Sequence, residues 1–111
     1  MAFALELSNR FITLPAGNVS VTLYNERQSL FRLFIPANFS GTRLSVSESI
    51  DGGNTIWPLR LTDGTIVVLT AFPGSVIDIN PDAFPGTGPL RLTSDVAQVA
   101  DCMLVAVTGR K

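Results

Sequence analysis

The side chains best suited to acid–base, nucleophilic or metal chemistry in this chain are the aspartates Asp51, Asp63, Asp78, Asp82, Asp95 and Asp101 and a lone Cys102, with no histidine to join them. Without an imidazole, Ser-His-Asp and Cys-His nucleophile systems and most zinc sites fall away. Cys102 directly precedes the apolar run Met103-Leu104-Val105-Ala106-Val107, where a small buried residue is expected. The aspartates fall mainly at turns, where Asp is favoured for its side-chain hydrogen bonds to nearby backbone. A pair of them acting on a glycosidic bond would need the sugar-binding cleft of a larger fold. Asp51-Gly52-Gly53-Asn54 gathers hard oxygen atoms of the kind that hold calcium, but it lacks the acidic spacing and terminal Glu of an EF-hand loop. It reads first as a Gly-rich hairpin turn, with binding of an ion or sugar left open. Gly86-Thr87-Gly88 is no phosphate cradle, because neither Lys-Ser/Thr nor a helix follows it. The expectation is a protein with no catalytic group, no metal and no cofactor, and therefore not an enzyme.

Ser49-Ile50-Asp51-Gly52-Gly53-Asn54-Thr55 resembles the Asp-box hairpin of sialidase-type propellers, a Ser-x-Asp-x-Gly-x-Thr turn followed by an aromatic residue, although Ile56 intervenes before Trp57. In those proteins the box recurs once per blade. This chain has one copy, so the likeness implies turn geometry and not sialidase activity. Trp57 is expected to anchor the turn onto the core through its large apolar surface. Its functional alternative is stacking on a sugar or a partner.

The elements that must carry these residues read as strands. Val19, Val21 and Leu23 alternate with polar neighbours, as do Leu44, Val46 and Ile50; Leu59 and Leu61 flank Arg60, and Leu90 and Leu92 flank Arg91. Met103, Val105 and Val107 repeat the pattern near the end. Leu44, Val46, Leu59, Leu61, Leu90, Leu92, Val105 and Val107 are the expected core. Leu30–Ile35 and Ile66–Phe72 are apolar on both faces and read as central or interface strands. Turns rich in Gly, Pro, Asn and Asp separate the runs at short intervals, and Thr62-Asp63-Gly64-Thr65 reads as a type I′ hairpin. Helix is confined to a turn at Asn80–Phe84 and an alternative reading of Ser94–Ala100 as either capped helix or long loop. The fold class is all-β, an antiparallel sandwich of jelly-roll or Ig-like type, in one domain over residues 1–111.

With 46% hydrophobic and 15% charged residues the chain is far less charged than an ordinary domain at roughly 25%, which excludes disorder. Pro, Gly or a charge cuts each apolar run short of the ~20 residues of a membrane-spanning helix, so no membrane partner is expected. The arginines and Lys111 are scattered singly and the net charge is −1, which argues against a nucleic-acid partner. Glu6 within the first apolar stretch, with no basic leader, argues against a signal peptide, and a lone cysteine fits synthesis in a cytoplasm. So small a chain has too little interior to hide both faces of several strands. The surplus is expected to meet protein, another copy included, with Leu30, Phe34, Val68 and Phe72 as the candidate interface.

The stretch Phe39 to Leu59, with Ser45-Val46-Ser47 before Asp51-Gly52-Gly53 and Trp57-Pro58-Leu59 after it, resembles small virion proteins of tailed bacteriophages. Ile79–Gly86, Leu90–Ser94 and Met103–Val107 continue that likeness over roughly residues 39 to 107. The resemblance implies a non-enzymatic β-sandwich in the virion, a capsid decoration (cement) protein set as a homo-oligomer, often a trimer, on the major capsid protein. The alternatives are a tail or baseplate accessory protein, or a carbohydrate-binding module using Trp57 and Tyr24 as its platform.

Overall fold

Alternation of apolar and polar side chains at period two turns more than half of the described residues into strands, the computed structural model describing residues 7–24, 28–49, 55–79 and 88–109. The strands are β1 (Leu7–Leu14), β2 (Ser20–Leu23), β3 (Ser29–Ile35), β4 (Arg43–Glu48), β5 (Trp57–Pro58), β6 (Val68–Thr70), β7 (Ser75–Asp78), β8 (Leu90–Ser94) and β9 (Cys102–Gly109). Every pairing among them is antiparallel. One sheet has the order β1-β9-β3-β7; the other has β2-β8-β4-β5, with β6 also paired to β4. The pairs are nested, first strand with last, β2 with β8, β3 with β7 and β4 with β5 and β6, so the chain is a long hairpin rolled into two layers. That connectivity is the jelly roll, and the all-β sandwich expected from the sequence is the fold.

Between the layers Leu14, Leu30, Leu33, Leu104 and Ala106 of the first sheet meet Leu23, Leu44, Val46, Leu90 and Leu92 of the second, all buried. Four expected core residues, Leu44, Val46, Leu90 and Leu92, are therefore in place. In β9 the inward face is the opposite of the expected one: Cys102, Leu104 and Ala106 are buried, whereas Val105 and Val107 are half-buried and Met103 is exposed. The strand is apolar on both sides, so alternation alone does not choose its face. Leu59 is half-buried against the core, and Leu61 is exposed at a hairpin tip.

Leu30 also needs correction, from interface to core. A bulge between Leu30 and Arg32 inserts one residue, which turns both Leu30 and Leu33 inward. β3 is central in its sheet, as expected, but Arg32 and Phe34 face out. Ile66–Phe72, read as a central or interface strand buried on both sides, is an edge segment. Only Val68–Thr70 forms a strand there, with Val67 and Leu69 against the core and Ile66 and Val68 exposed.

The hairpin over Thr62–Thr65 closes differently from a two-residue type I′ turn. Gly64 N–H donates to Leu61 O, Leu61 N–H donates to Thr65 O, and Gly64 sits at φ +88°. This is the pattern of a three-residue loop ended by a left-handed glycine. Ser94–Ala100 is a strand end and a loop, not a helix. The candidate calcium turn Asp51–Asn54 and the candidate helical turn Asn80–Phe84 lie outside the described residues.

Candidate interaction surfaces

The outer faces of the two sheets differ sharply in chemistry. On the five-stranded sheet the outward positions of the central strands are Ser45, Ser47, Arg91 and Thr93, with Ser20 and Thr22 beside them, an ordinary wetted face. On the four-stranded sheet, register places Phe11 opposite Val105, Val105 opposite Phe34, and Phe34 opposite Val76. One apolar row thus crosses all four strands. Phe11 is 67%, Phe34 40% and Val76 52% exposed. Met103, also exposed, extends the row into a shallow groove of about 360 Å³ that Phe34, Pro36, Gly74 and Val76 line with it. One pleat further along, the row Asn9, Val107, Arg32 and Asp78 is mostly polar, and Arg32 Nε stands 3.5 Å from Asp78 Oδ1.

A second apolar area follows the edge of the other sheet. Ile66, Val68 and Leu61 are exposed there, and Phe72 is exposed where the chain crosses from β6 to β7. Trp57 ends this edge and is 59% exposed, lining a groove of about 280 Å³ with Glu48, Pro58 and Leu59. It does not anchor its turn in the core as expected. Trp57 pairs with Glu48 at the end of β4 from the two-residue edge strand β5 and stands exposed there.

At one end of the sandwich a hydrogen-bonded loop hub presents apolar tips. The β8–β9 loop, residues 95–101, is tied to the β1–β2 turn by Gly17 N–H donating to Gln98 O (2.8 Å), Gln98 N–H to Asn18 O (3.0 Å) and Ala16 N–H to Asp101 Oδ1 (2.8 Å). The Gln98 side chain is buried; its Oε1 accepts from Ser40 N–H at 2.8 Å and its Nε2 donates to Ser40 O at 2.9 Å. Asp95 Oδ1 accepts from both Thr42 and Arg43 N–H groups. Gly41 allows that approach: at φ +100° any Cβ would collide with Asp95 Oδ1. On this fixed loop Val99 is 86% exposed, with Val96 exposed beside it.

The Thr42 N–H bond, with Arg43 contributing both its N–H and its charge, holds the Asp95 carboxyl below the usual carboxylate range against a smaller opposing effect of burial. A carboxylate lowered on folding contributes stability that is complete above its unfolded pKa and is lost as pH falls through the folded one. Acid titration followed by NMR should therefore move the Thr42 and Arg43 amide resonances with a midpoint below that of an ordinary Asp. Asp95→Asn should remove the transition; a midpoint at or above the ordinary value would show that the clamp is not formed.

Of the residues singled out from sequence, Phe34 lies in the apolar row, Val68 on the other sheet's edge and Phe72 at the crossing, while Leu30 belongs to the core. The structure does not gather them into one patch. Phe11, Val76, Met103 and Val105 were missed; the signal was the alternation Arg10-Phe11-Ile12-Thr13-Leu14, which sends Phe11 and Ile12 to opposite faces. Cys102 is buried, which pushes its thiol pKa up and suits a packing role. Asp63, like Asp95 and Asp101, accepts a backbone N–H as turn chemistry requires. Among the described residues no three Cys, Asp or Glu side chains converge as a metal site.

No protein-family model and no curated protein matches the chain. Among solved structures it is similar to the Drosophila NLP core, a crystal structure described for pentamer formation and histone binding, at 15% identity over 94% of this chain and 99% of that one, with a TM-score of 0.47. It is also similar to a Yersinia pseudotuberculosis-derived mitogen at 9% identity over 97% and 88% of the two chains, with a TM-score of 0.38. At these scores neither likeness bears on the partners or activity of this chain.

Proposed function

We propose that the chain is a virion protein of a tailed bacteriophage, of the capsid decoration type, held on the major capsid protein by apolar contact and not by chemistry. The observation that carries this reading is the loop hub, where Val96 and Val99 stand exposed on backbone fixed by Gln98, Asp95 and Asp101. Apolar groups already held in place lose little conformational freedom on binding, so even a small contact is effective. Repetition over a shell then multiplies weak single contacts into stable attachment. The sequence likeness over residues 39 to 107 supports the same reading. The jelly roll accommodates it as well, being an architecture used by viral shell proteins and also by lectins.

Purified protein should rebind decoration-depleted particles to saturation at a fixed stoichiometry, and Val99→Asp should lower occupancy. Electron microscopy of the particle separates head from tail, because a head decoration forms an icosahedrally ordered layer and a tail or baseplate accessory does not. A second reading, sugar binding, is favoured by the exposed Trp57 face beside Glu48 and Pro58. In that case Trp57→Ala abolishes binding on a glycan array and leaves particle occupancy unchanged. Glycan binding lost in this variant, with no saturable particle binding by the wild type, would overturn the decoration reading.

A further inference from the structure

The apolar row on the outer face of the four-stranded sheet has an order of sizes as well as a position. From β1 to β7 it runs Phe11, Val105, Phe34, Val76: large, small, large, small. Reversed, the series becomes small, large, small, large. We propose that this face seats a second copy of the chain, the two sheets packed face to face about a two-fold axis that runs along the strands between β9 and β3.

That axis reverses the row, so Phe11 stands over the partner's Val76 and Phe34 over the partner's Val105. Each ring then meets a small side chain, the arrangement by which packed layers interdigitate without voids. The groove beside Val76, lined also by Pro36, Gly74 and Met103, lies where the partner's Phe11 arrives. In the next row the same reversal sets the Asn9 amide over the partner's Asp78 carboxylate, a donor against an acceptor, and keeps Arg32 away from a like charge. A flat pleated face is best matched by another one, since both repeat at ~4.8 Å across the strands and sheets stack ~10 Å apart.

Area points the same way. The exposed parts of Phe11, Phe34, Val76 and Met103 amount to roughly 400 Å², at the level of the largest apolar patch a monomer ordinarily leaves uncovered. Counted on both copies that is about 800 Å² of apolar surface, half of a standard interface of ~1,600 Å², and the flanking polar rows would supply the rest. An isologous contact uses the same face on both copies and closes at two, so the assembly is a dimer and not the trimer implied by the sequence resemblance. The pairing rests on strand register and stands apart from the virion reading, which particle rebinding tests separately.

Sedimentation equilibrium at micromolar concentration should give twice the chain mass of 11.9 kDa. Phe34→Asp and Val105→Asp, with unchanged far-UV circular dichroism, should halve the sedimenting mass. A cysteine pair tests the axis: within one chain Phe11 and Val76 are three strands apart, about 14 Å, too far for a disulfide. Facing sheets stand ~10 Å apart, also beyond a disulfide, so a homobifunctional thiol reagent of ~5 Å span should couple the doubly substituted Phe11→Cys, Val76→Cys protein into a covalent dimer, while neither single variant cross-links. A wild-type monomer, a trimer or larger ring, an assembly that survives Phe34→Asp, or cross-linking by Phe11→Cys alone would each overturn the proposal.

Discussion

Leu104→Ala should destabilise the protein by about 2–5 kcal/mol, whereas Val105→Ala, one residue on, should cost about 1 kcal/mol or less. Leu104 is fully buried between the sheets, so truncation removes its transfer free energy and leaves a cavity that the surrounding core can only partly fill. Val105 is half-buried on the outer face of the chain, where truncation to Ala opens no enclosed cavity between the sheets. A domain of this size has a total stability of ~5–15 kcal/mol, so the first change brings it near its threshold and the second leaves it folded. Urea unfolding of the two variants, with equal m-values, measures the difference directly. If Val105→Ala proved the costlier, β9 would face the other way, as its valines alone suggest.

The contrast between these neighbours shows what the sequence conveyed and where it was silent. β4 and β8 carry polar side chains on one face, Ser45 and Ser47 or Arg91 and Thr93, so alternation points Leu44, Val46, Leu90 and Leu92 inward without ambiguity. β9 has apolar side chains on both faces, and no period-two argument can orient it. β3 was misread at Leu30 because a bulge shifts the parity within the strand, and a bulge in an apolar run carries no sequence mark. Trp57 was misplaced for a different reason. Its size predicts burial, but it stands exposed on the short edge strand β5, an arrangement set by strand pairing that no local run of residues encodes.

The candidate surfaces follow the same division. The row Phe11, Val105, Phe34 and Val76 is drawn from four strands dispersed along the chain, and only register unites them. The loop hub was still less legible, since a glutamine in a loop ordinarily reads as solvated.

Gln98→Ala is the sharpest test of that hub and should cost about 2–4 kcal/mol, an unusual loss for a polar loop residue. The amide is buried and serves Ser40 on both sides, accepting from its N–H and donating to its C=O, with Ser94 Oγ 3.3 Å from Nε2. Truncation leaves the half-buried Ser40 N–H without this partner and Ser40 O with only Ser94 Oγ at 3.3 Å, and a polar group left short of partners costs more than a hydrogen bond contributes on average. Gln98→Glu should restore only part of the loss, because a carboxylate accepts from Ser40 N–H but cannot donate to Ser40 O. Hydrogen exchange should quicken at Gly17 and Val99, whose amides bond Gln98 O and Ser40 Oγ in the same hub, while β9 stays protected. If the hub is what holds Val99 ready for a shell protein, Gln98→Ala should also shorten residence on particles without removing any contacting side chain. A near-neutral Gln98→Ala would mean that water replaces the amide and that the loop end is not fixed by it.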